Sequence, residues 1–376
     1  MLPFLAIAAL TAFLGALLLI WTESAAPAAA LHLAFAAGVM PLILGAMTYF
    51  VPVLTRSPGA NGAIRALPLL ALGAGALVSF SFAYPARAPL GDIIAATAAM
   101  LAAAILSGWM LRRGAASFGR PHPGLYWYPA ALLCLLAALA AVLAMHFWPE
   151  QRPALKRLHL HLNMLGFVAI TAVGTLQVLL PTVIGRADDA AATRLHADLK
   201  WALAGALFLA AGAAWVPALA WAGAVLWAIP LARLARAWLT QFRNEIFQLH
   251  GAAPALAAAL AGLALALLAG ALHAAGVVPT ANAIYVFLAG FLLPLVTGAL
   301  SHLLPLWLRP GAPTRVHEEL RRRLTRGGGV RAMLFLGGGI LIGSNLLVGL
   351  ALAGAGLALF LAQLAHALVR RQHATD

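Results

Sequence analysis

Ionisable side chains are scarce in this sequence of 376 residues. Charged residues make up 9% of the chain, whereas 64% of it is hydrophobic and the mean hydropathy is +0.95. A soluble protein of this length could not bury so much apolar surface. The composition therefore predicts an all-α polytopic membrane protein in contact with a lipid bilayer. We attribute the net charge of +14 to membrane topology and expect no nucleic-acid partner.

Cysteine and acidic residues are the rarest reactive groups. The single cysteine, Cys134, lies in an apolar run and cannot form an intrachain disulfide. All ten acidic residues are expected in loops or at helix ends. A proton pump or ion-coupled transporter usually needs a carboxylate within the membrane, so the sequence argues against those classes, although histidine alone can relay protons. The ten are Glu23, Asp92, Glu150, Asp188, Asp189, Asp198, Glu245, Glu318, Glu319 and Asp376.

Apolar segments of helix length predict twelve membrane spans. They fall at about 2–21, 30–55, 66–84, 91–111, 127–148, 158–184, 201–217, 218–239, 247–275, 282–308, 332–349 and 350–369. The turns between spans 7 and 8 and between spans 11 and 12 are very short. The first segment lacks a preceding basic region, so we interpret it as a retained helix and not as a signal peptide.

Lysine and arginine are distributed unevenly between the two sides of the predicted membrane. Arg87, Arg152, Lys156 and Arg157 lie in the odd-numbered loops. The other twenty lie in or next to the even-numbered loops and in the C-terminal tail. Because positive charge accumulates in cytoplasmic loops, both termini are predicted to be cytoplasmic, in a bacterial-type inner membrane. Spans 2, 6 and 10 then begin on the outer side.

Spans 2, 6 and 10 share a pattern of residues. In each, a residue near the start is followed thirteen positions later by a glycine and, seven positions after that, by a proline. The three sets are His32, Gly45 and Pro52; His161, Gly174 and Pro181; and Tyr285, Gly298 and Pro305. The pattern predicts one membrane domain, 1–376, made of four-helix pseudo-repeats at 1–113, 127–239 and 247–370. Convergence is the alternative, because glycine and proline are common in membrane helices.

Histidine is the ionisable residue that the predicted spans do contain. Neutral imidazole binds metals without bringing a formal charge, so an intramembrane metal would be held mainly by histidine, which favours haem iron or copper. His32, His159 and His161 are predicted at one depth near the outer face. Residues two apart on a helix face nearly opposite sides, so His159 and His161 would serve two different sites. Simple hydrogen bonding at the membrane interface is the alternative for each.

The remaining histidines are weaker candidates. His146, His250, His273 and His302 lie within or at the ends of spans, and each has a plausible role in packing or solvation. His366 lies near the last helix end. The loop and tail histidines are expected to be solvated: His122, His196, His317 and His373.

Twelve helices in three units, with histidines where helices 2 and 6 begin, resemble subunit I of the haem–copper oxidases and nitric oxide reductases. The endings YFVP (49–52) and SHLLP (301–305) match that family's helices 2 and 10. The family's H-x-H lies in helix 10, whereas this chain has it in helix 6. Helix 7 lacks the family's copper-binding histidine pair, and the nitric-oxide-response membrane family's tryptophan-His-x-His-Glu signature is absent.

The resemblance implies a haem-binding protein that handles electrons or a diatomic gas such as nitric oxide or oxygen. His32 and His161 would be the axial pair of a haem b, and His159 would face a second haem or a copper. Tyr285 could line either site. Asn163 could orient a ligand or donate to a haem edge, or only form an interhelical hydrogen bond.

The resemblance implies a possible oxidoreductase, with a separate cytochrome c or cupredoxin as electron donor. A membrane permease, a channel or a metal-handling protein without haem is the alternative function. The methionines form no ladder along one helix, which argues against the copper-transport version of that alternative.

Overall fold

The computed structural model describes residues 1–372, which fold into helices joined by short turns. The longer helices are labelled here in chain order. They are α1 Leu2–Thr22, α2 Pro27–Thr55, α3 Gly62–Ala83, α4 Gly91–Ala115, α5 Trp127–Phe147, α6 Pro149–Ile184, α7 Ala191–Ala214, α8 Pro217–Gln241, α9 Ala253–Ala274, α10 Thr280–Leu308, α11 Arg315–Leu324, α12 Gly328–Gly343 and α13 Val348–Gln372.

Eleven helices in the described part of the chain are long and apolar enough to cross a membrane, as the predicted polytopic α-helical class requires. The predicted count of twelve differs by one. The difference is α12, whose 16 residues extend about 24 Å, less than the roughly 30 Å of a bilayer's hydrocarbon core. The predicted division of the last two spans around Gly349 is also wrong, because the turn lies at 344–347.

The chain divides into two compact units. The first contains Met1–Thr175 and Asp189–Pro230, and the second contains Leu176–Asp188 and the chain from Leu231 onward. In the first unit α1 packs on α2, α3 packs on α2 and α4, and α5 packs on α4 and α6. In the second unit α9 packs on α10 and α12, and α11 packs on α10 and α13.

Three of the longest helices, α2, α6 and α10, contain a π-helical segment. The segments are Leu33–Val39, Leu162–Val168 and Phe287–Leu292. The first two begin directly after His32 and His161. A π segment widens the helix by one residue per turn and is frequent at functional sites.

The glycine of each shared Gly–Pro pattern lies against the preceding helix. A Cβ on Gly45 would lie 2.7 Å from the side chain of Leu5 in α1. A Cβ on Gly174 would lie 2.6 Å from Trp127 in α5. A Cβ on Gly298 would lie 3.0 Å from Leu256 in α9. The absence of a side chain at these three positions therefore allows close contact between the helices.

Among residues 1–369, the side chains of one aspartate and one arginine are fully buried, and the burial of the aspartate is contrary to the sequence prediction for acids. Asp198 has no exposed surface and lies inside α7, because that helix begins at Ala191, ten residues before the predicted start of span 7. Arg331 in α12 is equally buried and donates to the hydroxyl of Ser301 and the carbonyl oxygen of Leu324. The sequence argument against proton pumps and ion-coupled transporters assumed that every acidic residue lies in a loop or at a helix end. The burial of Asp198 within α7 removes that assumption.

Candidate functional site

The candidate site is formed by two histidines of the first unit, His32 in α2 and His159 in α6. Their ring centroids lie 6.4 Å apart, and the ring planes are inclined by only 19°. Both side chains are half-buried. The structure therefore brings together two of the three predicted ligand histidines, from helices that are far apart in the sequence.

Hydrogen bonds to backbone carbonyls fix the tautomers of both rings. Nδ1 of His32 donates to the carbonyl oxygen of Ala28 at 2.7 Å, and Nδ1 of His159 donates to that of Ala138 in α5 at 2.9 Å. A carbonyl oxygen can only accept, so each Nδ1 must carry the proton. In the neutral rings the lone pair is therefore on Nε2, the usual state of a metal-ligating histidine.

Neighbouring side chains hold the two rings in place. Phe82 of α3 stacks on His32 with centroids 4.6 Å apart and an interplanar angle of 28°. The amide of Asn163 donates to the carbonyl oxygen of His159 at 2.9 Å, and its nitrogen lies 3.5 Å from Nε2 of the ring. Asn163 therefore lies beside the candidate ligand, and this hydrogen bond is formed within α6. The sequence reasoning missed Phe82, because a phenylalanine in an apolar helix gives no signal of function.

His161, the other predicted ligand, has the same local geometry as His32. Its Nδ1 donates to the carbonyl oxygen of Arg157, four residues earlier, at 2.8 Å, just as His32 donates to Ala28. Tyr285 is buried and belongs to the second unit. The axial pairing of His32 with His161 and the role of Tyr285 stay predictions.

Besides His122, whose Nδ1 accepts from the backbone N–H of Gly124 at 3.1 Å, four other histidines of the described chain make hydrogen bonds of their own. His146 Nε2 donates to the carboxylate of Asp92 at 3.0 Å, and His273 Nδ1 donates to the carbonyl oxygen of Val278 at 3.0 Å. Nδ1 of His250 accepts from the backbone N–H of Gly327 at 3.0 Å.

The fourth, His317, was expected to be solvated, and that prediction is wrong. The side chain is buried and caps the first turn of α11, with Nε2 donating to the carbonyl oxygen of Arg309 at 2.8 Å. His196 is exposed as expected, and His122 is half-buried. His373 lies outside the described residues.

The rings of His32 and His159 are close enough that both would be able to hold one metal, each through its Nε2 atom. Among residues 1–372, no three histidine, cysteine, aspartate or glutamate side chains gather into a metal-binding group. Structural zinc sites are almost always four-coordinate. Two histidines therefore suit a metal whose other ligands come from outside the protein, as a porphyrin supplies them in haem.

Neither a scan against protein-family models nor a search of curated protein sequences finds a match for this chain.

Proposed function

We propose that the chain is a haem-binding integral membrane protein with a fold like that of cytochrome oxidase subunit I, working in electron transfer or in the chemistry of nitric oxide or oxygen. The observation that carries the proposal is the facing pair His32 and His159, each with Nδ1 bonded to a backbone carbonyl. The facing geometry favours His159 as the second axial ligand, and His161 remains the alternative.

The chain's own residues prepare the pair for ligation. The Nδ1 hydrogen bonds fix the tautomer, so each neutral ring presents its Nε2 lone pair to a metal. Phe82, stacked on His32, prevents that ring from turning. The amide of Asn163 keeps a polar donor beside His159 without adding a charge. Bound haem would supply reversible one-electron chemistry, and the half-buried position would restrict water.

The proposal includes a threefold pseudo-repeat at 1–113, 127–239 and 247–370. Four features recur at matching positions of α2, α6 and α10, and they support it. These are the π segment, the glycine against the preceding helix, the proline, and a polar residue four positions before that proline, which is Thr48, Gln177 or Ser301. The hydroxyls of Thr48 and Ser301 donate to carbonyl oxygens of the preceding turn, those of Gly45 and Thr297.

The orientation follows from the charges, with both termini on the cytoplasmic side of a bacterial-type inner membrane. His32 and His159 would then lie near the outer face. An electron donor such as a separate cytochrome c or cupredoxin would reach the site from that side. A catalytic role as an oxidoreductase would require a second site for the gas, which the sequence assigned to copper or a second haem.

Optical spectroscopy tests the proposal. The wild-type protein, purified from cells with ample haem, should show a sharp α-band on reduction with dithionite, as a six-coordinate haem does. His32→Ala should abolish that band. His159→Ala should abolish it if His159 is the second ligand, whereas His161→Ala should do so if the predicted pairing is correct. His146→Ala is the matched control and should keep the full band, because that histidine is bonded to Asp92.

A featureless spectrum from folded, haem-replete wild-type protein would refute haem binding. The pair would then be explained by polar packing or by a pathway through the membrane, and transport assays would follow. A normal band in His32→Ala would show that haem binds elsewhere in the chain.

A further inference from the structure

The second unit contains a cavity of about 290 Å³ that plays no part in the proposed haem site. It opens at the end of α10, beside α11 and the loop before α9. Its polar lining includes Arg321, His302, His250 and Thr325, and its apolar lining includes Val183 and Ile184. We propose that this cavity binds a phosphate group, carried by an anionic phospholipid headgroup or by a free phosphate compound.

The positive charge in the cavity is not neutralised by the protein. Arg321 is half-buried, and its only hydrogen bond among the described residues is a long one, 3.4 Å from Nε to the carbonyl oxygen of His302. The one carboxylate in the lining, that of Glu245, is already paired with Arg186. The guanidinium of Arg321 therefore keeps most of its donors for a ligand, and such a planar fork suits phosphate oxygens.

Further donors point to the same kind of ligand. Nδ1 of His250 accepts a hydrogen bond from Gly327, so in the neutral ring Nε2 carries the proton and can donate. The backbone N–H of Ala253 lies in the first turn of α9, a helix of 22 residues, and has no acceptor within the helix. An arginine, a histidine N–H and a helix N-terminus around one cavity form an anion site. The acidic residue in the lining, Glu245, is paired with Arg186 and therefore does not repel the ligand.

The depth of the cavity matches that of lipid phosphates. His302 lies six residues before the end of α10, which is about 9 Å along the helix axis and near the boundary between hydrocarbon and headgroups. The apolar side of the lining, at Val183 and Ile184, could contact the adjoining acyl chains. Basic pockets between helices at the cytoplasmic face are a known form of headgroup site.

The test compares Arg321→Gln with Arg322→Gln, its neighbour on the same helix. Arg322 is exposed, pairs with Glu319 and does not line the cavity. Native mass spectrometry would measure binding of phosphatidylglycerol and phosphatidylcholine to the full chain in detergent. Calorimetry would measure binding of inorganic phosphate to the same samples. Loss of a charge-assisted interaction should weaken binding about ten- to a hundredfold in Arg321→Gln, whereas Arg322→Gln should change little.

Each outcome decides the proposal. Selective loss of phosphatidylglycerol in Arg321→Gln supports the site with a lipid as its source, and selective loss of inorganic phosphate supports it with a soluble source. Equal binding by wild type and Arg321→Gln in both assays overturns it. If Arg321→Gln does not fold, His250→Ala replaces it, because the His250 side chain is exposed and its loss removes a donor without opening the core.

Discussion

The substitution Gly75→Ala tests the helix contact that supports the His32 site. Gly75 of α3 lies against the π segment of α2, where an added Cβ would be 2.1 Å from the carbonyl oxygen of Ala36. Ordinary contact between these atom types is more than about 1 Å longer, and the obstacle is backbone, so no side-chain rotation can relieve the clash. The two helices must therefore move apart.

The same helix provides a matched control. Gly73 is exposed, and a Cβ there would meet nothing within 4 Å. Overpacking a rigid contact costs about 1–3 kcal/mol, and this contact should be at the upper end because neither backbone can yield. At about 2–4 °C per kcal/mol, Gly75→Ala should lower Tm by about 5–10 °C. Gly73→Ala should leave Tm unchanged or raise it slightly, because alanine favours helix more than glycine does.

The chain carries its own reporter for this experiment. Cys134 is the only cysteine, is 1% exposed and lies in the same compact unit as Gly75. A thiol-reactive dye should therefore become fluorescent only when that unit unfolds. Because Phe82 follows Gly75 in α3 and stacks on His32, Gly75→Ala should also shift the haem α-band if haem is bound. Equal Tm values for the two variants would refute the packing argument.

Two further predictions concern α11. A hydrogen bond from Arg323, together with the nearby Arg322, lowers the pKa of the Glu319 carboxyl from its ordinary 4.5. The stabilisation that Glu319 gains from these arginines is therefore present above pH 4.5. It is lost as the pH falls through the lower pKa of the folded state. A Tm difference between wild type and Glu319→Gln is therefore expected at neutral pH and should vanish in acid; a difference that persists there would contradict the linkage. His317→Ala should destabilise the protein by about 1 kcal/mol, because it removes the helix cap, whereas the exposed His196→Ala should not change Tm; equal Tm values would show that the cap contributes nothing.

Much of the helical architecture could be predicted because membrane spans depend on apolar length, which the sequence displays directly. Span 7 was predicted to begin at residue 201, because Asp198 and Lys200 broke the apolar run. The structure extends α7 back to Ala191 and buries Asp198. A buried charge needs a local environment that hydropathy does not describe. The helix α12 was predicted as span 332–349, whereas the structure places it at Gly328–Gly343 with the turn at 344–347.

The candidate site was predictable in its residue types and less so in its pairing. Helix geometry predicts that His159 and His161 point to different sides. It could not decide which of them faces His32, because that depends on the rotation of α6 about its own axis. The π segment beginning at Leu162 and the carbonyl of Ala138 contribute to that rotation. Neither is visible in a sequence read with a period of 3.6 residues.

The π segment of α2 also determines which side of the helix His32 occupies. A π turn is an α-helix with one inserted residue, and one residue corresponds to about 100° of rotation. In α2 the extra residue lies between His32 and Gly45. Without it, a helix still anchored by Gly45 on α1 would turn His32 to a different side, away from His159. Deleting one residue of this segment would therefore separate the two rings even though both histidines remain in the chain.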